Sequence, residues 1–297
     1  MSYMTARFPR FAAVGATSGR GPITDDQLRR VVPSAFATDK HESRSDRYTY
    51  IPTAEVIAGL RANGFEPTFA KQGGSRVPGK ADFTKHLIRF RPAGEQARAP
   101  RRVGDTFPEV VLVNSHDGTS AYQLMAGLFR LVCLNGMVAA DRGLATVKVP
   151  HKGDVVGRVI EGSYEVLEES RRALDSAEAW AGVDLSRDER AAMAEAAHVL
   201  RFGEPGEGED GGAPSPIRPE QLLSVRRRED EARDLWTTAN VIQENAIRGG
   251  LTAMGRDAAG RTRRTTTREV RGIDQDIRLN RALWLLGERM AQLKRAA

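Results

Sequence analysis

Five consecutive residues, Asn114-Ser115-His116-Asp117-Gly118, bring an amide, a hydroxyl, an imidazole and a carboxylate to one corner of the chain. An imidazole exchanges protons near neutral pH and a neighbouring carboxylate can orient it, so His116 and Asp117 are candidates for general acid–base work. The competing expectation is an Asx-type turn, with Asn114 and Asp117 bonding nearby backbone and Gly118 at the tight corner. His151, in the stretch VPHKGD, precedes a predicted helix whose N-terminus favours anions, so with Lys152 and Arg158 it could hold a phosphate; otherwise it is a solvated loop histidine. His116, Asp117 and His151 could ligate a metal together, but their spacing matches no metal-binding pattern, and no metal or cofactor is expected. Cys133 and Asn135 alternate along a predicted strand and with His116 would echo a Cys-His-Asn nucleophile, although apolar surroundings raise a thiol's pKa and favour an inert side chain. The N-terminal GATSGRGPIT lacks the Gly-Lys-Ser/Thr ending of a phosphate-gripping loop.

A second chemistry is written in the charge. The net +6 hides an uneven layout, with 18 basic and 11 acidic residues over 1–110, 11 and 18 over 111–220, and 16 and 10 over 221–297. Cationic ends around an acidic middle suit a polyanion, because Lys and Arg that neutralise phosphates release counterions. The candidate phosphate contacts are Lys71, Arg76, Lys80, Arg89 and Arg91 in the first third, and Arg261, Arg263, Arg264 and Arg268 in a basic Arg/Thr arm over 255–271. The alternative is an arginine-rich composition spread over every solvated face.

These groups need elements to hold them. Residues 1–47 read as an irregular arm with one short helix near Thr24–Val31, capped by Thr24 or Asp25. Pro52–Asn63 is a helix ended by Gly64. Strands follow at Phe65–Gln72 and at Phe83–Arg91. In the latter Phe83, Lys85, Leu87, Arg89 and Arg91 share one side, and Thr84, His86, Ile88 and Phe90 the other. The insert GGSRVPGK over 73–80 is a basic loop. Glu109–Asn114 is a strand ending at the Asp117-Gly118 hairpin signal, Thr119–Cys133 its return with a bend at Gly127, and Val147–Pro150 a further short strand. Helices are predicted over Asp154–Leu174, Ser186–Arg201, Glu220–Ala246 (which carries Arg226-Arg227-Arg228) and Ile273–Arg295. The Gly/Pro/acid-rich stretch 203–219 has the composition of a solvated linker.

The expected architecture is α+β: an irregular arm (1–47), a core domain (48–202) with an antiparallel meander covered by helices, the linker, and a helical C-terminal module (220–297). No run approaches the roughly 18 apolar residues of a membrane span. No secretory leader is visible, and the single cysteine fits a reducing compartment, so the expected location is the cytoplasm, with no membrane partner.

The motifs NSHDGTSAYQL (114–124), FRLVCLNGMV (129–138), VPHKGD (149–154) and LWTTANVIQENAIRGG (235–250) resemble the domain of unknown function 932 family, which is carried by phages, plasmids and integrated elements of bacteria. The resemblance implies a mobile-element setting and assigns no catalytic residue. The order helix, strand meander, helix is also similar to the core of single-strand annealing proteins. The expected function is a non-catalytic DNA-associated accessory protein, the DNA double- or single-stranded, the protein a monomer or homo-oligomer. Two alternatives stay open: a nuclease or hydrolase using His116, Asp117 and His151, and a protein-binding antagonist of host defence.

Overall fold

The structure is a computed structural model that describes residues 11–15, 22–44, 50–96, 106–130, 136–138, 147–148, 155–203, 217–256 and 261–296. Cys133, Asn135, His151, Lys152 and most of the 203–219 stretch lie outside the described residues. In chain order the elements are β1 (Phe11–Gly15), α1 (Asp25–Val31), α2 (Thr53–Ala62), β2 (Phe65–Gly73), β3 (His86–Pro92), α3 (Ala93–Gln96), β4 (Thr106–Asn114), β5 (Gln123–Arg130), β6 (Gly136–Val138) and β7 (Val147–Lys148). They continue with α4 (Val155–Ala181), α5 (Arg187–Phe202), α6 (Leu235–Arg248), β8 (Thr252–Arg256), β9 (Thr262–Thr266) and α7 (Ile273–Ala296). The fold is α+β, and the chain forms two compact units.

The first unit contains residues 1–101, 107–127 and 144–170. Its sheet runs β1-β2-β3-β4-β5, with β7 on β5. The β1–β2, β2–β3, β3–β4 and β5–β7 pairs are antiparallel. β3 has the alternation its sequence predicts and is covered on both faces, with Ile88 and Phe90 fully buried and Arg89 and Arg91 only 6 % exposed. On the His86 face the register stacks Ala70, Ile88 and Leu112 in one row and Pro67, Phe90 and Val110 in another. α2 brings Val56, Ile57 and Leu60, all buried, to this core, and a buried aliphatic or aromatic side chain contributes about 1.5–3 kcal/mol. α4 approaches α2 at Gly59, where a Cβ would stand 3.0 Å from Val156 Cγ1 and 3.2 Å from Ile160 Cδ1. It approaches β4 and β5 through Ser170, whose Oγ donates to the Glu109 carbonyl at 2.9 Å and accepts from the Gly127 amide at 3.3 Å.

The second unit, residues 102–106, 128–143 and 171–297, is mostly helical. α5 opens with a capping box between Ser186 and Glu189, as its sequence signature requires. Trp180 packs on Trp284 (ring centres 4.6 Å) and near Trp236 (6.3 Å). Gly287 leaves room for that stack, since a Cβ there would lie 2.6 Å from the Trp180 ring. The helix expected over Glu220–Ala246 begins only at Leu235, and Pro219–Leu223 and Arg228–Asp230 are separate 3₁₀ turns. The difference has a physical cause. Arg227 turns inward to chelate Glu244 at 2.6 Å and to meet Asp230 at 2.8 Å, while Asp230 also meets Arg130 at 2.7 Å. Both acids are almost fully buried, and buried carboxylates require such partners. The Arg/Thr arm, for which no strand was predicted, contributes to the β8–β9 hairpin. β1 was not foreseen in the N-terminal arm, and it pairs with β2.

Candidate functional site

The register of three strands sets Gln72 opposite His86 and His86 opposite Asn114, a polar row across the end of an otherwise apolar face. Ser34, from the 3₁₀ turn Pro33–Phe36, and Thr53, the first residue of α2, close over that row. Ser34, Thr53, His86, Asn114 and His116 are all buried, none more than 1 % exposed. Every polar group there needs a partner.

The hydrogen bonds fix where the protons sit. Gln72 Nε2 donates to the Ala81 carbonyl at 2.8 Å, which turns Oε1 toward Ser34, and Oε1 accepts from both the amide (3.0 Å) and the hydroxyl (2.8 Å) of Ser34. With its hydroxyl proton engaged, Ser34 Oγ can only accept from His86 Nδ1 at 2.9 Å. His86 therefore carries its proton on Nδ1, and its Nε2 accepts from Thr53 Oγ1 at 3.1 Å. Thr53 Oγ1 in turn accepts from Asn114 Nδ2 at 3.0 Å and faces His116 Nε2 at 3.5 Å as a further donor. The chain runs one way, from His116 through Thr53, His86 and Ser34 to Gln72. It ends on an amide oxygen, a poor proton acceptor, so it orders the fold's polar groups rather than carrying a proton away. His116 Nδ1 is the buried atom of this cluster with no hydrogen-bond partner among the described residues.

Burial drives both imidazoles toward the neutral form. Loss of solvent, reinforced by the neighbouring His116, lowers His86 to about 3, and loss of solvent lowers His116 to about 4. The ring centres lie 5.5 Å apart, and Tyr50 packs on His116 at 4.9 Å.

The rest of the corner forms the expected turn. Asp117 Oδ1 accepts from the Thr119 amide at 3.0 Å and its hydroxyl at 2.6 Å, and Oδ2 meets Lys80 at 3.3 Å. Burial pushes the Asp117 carboxyl up, but the two Thr119 donors and Lys80 outweigh it and hold the group below its ordinary 3.8. Gly118 has φ +75°, with Arg44 packed against it, a conformation suited to glycine. Asn114 does not bond its own backbone as an Asx turn would, because its amide goes to Thr53. His116 and Asp117, adjacent in sequence, make no hydrogen bond to each other among the described residues. No group of three or more His, Cys, Asp or Glu among the described residues could hold a metal ion.

The cationic candidates separate into two sets. Arg89 and Arg91 are buried on the opposite face of β3, and both meet the buried carboxylate of Glu109, Nε to Oε2 at 3.4 Å and NH2 to Oε1 at 2.8 Å. Their guanidinium planes also lie over the rings of Phe69 (4.4 Å) and Phe107 (4.1 Å). Lys71 is buried beside them on β2, and Lys80 is engaged with Asp117. Arg76, in the 73–80 loop, is exposed.

Arg261, Arg264 and Arg268, by contrast, are exposed on or beside the β8–β9 hairpin, and the backbone of Arg263 lies in β9. That hairpin is anchored at its base. Gly250 N donates to Thr267 O at 2.8 Å, Thr267 N to Leu251 O at 2.8 Å, and Val270 N to Ile247 O at 2.7 Å. Arg201 NH2 reaches the Arg268 carbonyl at 3.0 Å, and Gln221 Nε2 the Thr252 carbonyl at 3.0 Å. Gly249, at φ +64°, lies so close to the Thr267–Arg268 backbone that a Cβ would be 2.6 Å from Thr267 O.

Residues 40–284 match the family described as Domain of unknown function (DUF932). The chain belongs to the DUF932 family. It is similar to two proteins of Escherichia coli (strain K12), UPF0380 protein YafZ and UPF0380 protein YfjQ. Each is 47 % identical over 285 residues, spanning 96 % of this chain and 97 % of the relative. No solved structure matches. The DUF932 match spans both the polar row and the hairpin root.

Ser34, Thr53, Gln72 and His86 were not among the sequence candidates. One signal was available: His86 alternates with Ile88 and Phe90, and a histidine on an apolar face needs buried partners. The network of Arg130, Arg227, Asp230 and Glu244 was missed because its members come from three separate segments.

Proposed function

We propose that this DUF932 protein is a non-catalytic DNA-binding accessory protein of a phage, plasmid or integrated element, and that the β8–β9 hairpin and its flanks are its phosphate-contacting surface. The supporting observation is how the arginines sort. Those on β3 are held by the protein's own Glu109, whereas Arg264 and Arg268 are exposed on an anchored hairpin. Residues 252–271 hold six arginines against two acids, interleaved with threonines. Guanidinium groups bind phosphate oxygens in pairs and hydroxyls add further donors, so such a ribbon suits a sequence-independent hold on a nucleic-acid backbone. The mobile-element setting rests on the family resemblance of the motifs, and none of the described helices is long and apolar enough to cross a membrane.

The test is a salt titration of DNA affinity for the parent chain and for Arg261→Ala/Arg264→Ala/Arg268→Ala. Loss of three phosphate contacts lowers the slope of log K against log salt by about 2 to 3, near 0.9 per contact on duplex and 0.7 on single strands. Superimposable titrations would reject the reading.

A further inference from the structure

The hairpin also carries an apolar side chain that phosphate binding does not use. Met254 is 68 % exposed, the largest exposure among the large hydrophobic residues of the described chain. The register sets it directly opposite Arg264, and alternation places Thr252, Thr262 and Thr266 on the same face. Met254, Arg264, Thr262 and Thr266 are all exposed, while Ala253 and Thr265 on the opposite face are half-buried. The outward face is therefore one thioether surrounded by hydroxyls and a guanidinium, mounted on a root that resists rotation. Met254 contributes nothing to the unit's core, which leaves its soft thioether available to an apolar surface on whatever the ribbon binds.

A two-stranded ribbon of five residues per strand is about 15 Å long with strands about 4.8 Å apart, a size that enters a groove of duplex DNA. Once arginines hold the phosphates on either side, the apolar surface within reach is the stacked faces of the bases. Apolar wedges on minor-groove binders part a base step and kink the duplex, with arginine suited to the narrow groove's potential. We infer that the β8–β9 ribbon binds the minor groove of double-stranded DNA and that Met254 inserts between base pairs as a wedge, bending the duplex. The inference rests on the DNA-binding reading above and adds the form of DNA and the mode of contact.

The full chain is titrated by fluorescence anisotropy against a 30-base-pair duplex and its component single strand, and bending is read from energy transfer between dyes on the duplex ends. Met254 is exposed, so Met254→Ala should leave the fold intact, which unchanged fluorescence of Trp180, Trp236 and Trp284 checks. The expected results are a preference for duplex, transfer that rises on binding, and a Met254→Ala variant that loses the bend and about tenfold or more in affinity, the scale of one apolar anchor. Its salt slope should stay that of the parent, and Met254→Leu should restore bending. A Met254→Ala variant that bends DNA as the parent does, or a parent that prefers single strands, overturns the wedge while the arginine variant still weakens binding. An arginine variant that binds like the parent removes the underlying reading instead.

Discussion

Acidification to pH 5 should destabilise the first unit through His86 and His116. In the folded chain burial holds these imidazoles neutral, with values of about 3 and about 4, against an ordinary 6.5. Below 6.5 the unfolded chain binds protons that the folded chain refuses, so stability falls as pH falls. The contribution is intact above about 6.5 and is lost progressively down to the folded values. At pH 5 each histidine lies about 1.5 pH units below its unfolded value, which costs about 2 kcal/mol apiece and about 4 kcal/mol for the pair. That is a large part of the 5–15 kcal/mol of a typical domain. Asp117 does not oppose this, because its depressed carboxyl loses stability only below about 4. The urea midpoint by far-UV circular dichroism should fall by roughly 2 M between pH 7 and pH 5. Hydrogen exchange, corrected for the intrinsic rate, should localise the loss to 84–92 and 106–116. All three tryptophans lie in the second unit, so their fluorescence gives a separate reading. In His86→Gln/His116→Gln the pH dependence across this window should vanish. A parent midpoint that is flat from pH 7 to 5, or a double variant with the full dependence, would refute the reasoning.

The salt-slope loss of the triple arginine variant and the lost bend of Met254→Ala test the hairpin's role in solution. Glu109→Gln keeps the shape of the Glu109 side chain but leaves Arg89 and Arg91 without their shared carboxylate, and should cost about 3–5 kcal/mol in chemical denaturation, the size of a broken buried pair. A loss under 1 kcal/mol would mean that Glu109 is not what holds these cations. Gly249→Ala places a Cβ 2.6–2.8 Å from the Thr267 and Arg268 backbone at a positive φ, and should cost about 3 kcal/mol locally. Faster exchange of the Gly250 and Thr267 amides would register that cost, and unchanged protection would show that the hairpin is rooted elsewhere.

Much of the fold was legible because it depends on local pattern. Alternation in FTKHLIRFR assigned the two faces of β3, the Thr24 cap marked a helix start, and Asp117-Gly118 marked the corner. The polar row was not legible, because a row needs register. Sequence puts His86 on a face, but only the pairing of three strands puts it between Gln72 and Asn114, and a slip of one residue would have sent it to the other side. Asp117 and Gly118 could be read as a turn because turn chemistry acts within a few residues, whereas the role of Asn114 could not, since Thr53 is 61 positions from the Asn114 amide it accepts from.

The arginines show the same division between local and distant information, and it decides the functional argument. Arg91 and Arg264 both alternate along strands and both look like phosphate contacts in a list of charges. What separates them is whether an acid waits at the matching position across the sheet. Across from Arg91 in β4 stands Glu109, the one acid of that strand, and burying that carboxylate requires cations to meet it. Opposite Arg264 in β8 stands Met254, which offers neither charge nor hydrogen bond. A buried acid in register recruits arginine into the fold, while an apolar partner on an exposed ribbon leaves the guanidinium facing water. Arginines of the second kind are the ones that a polyanion can reach.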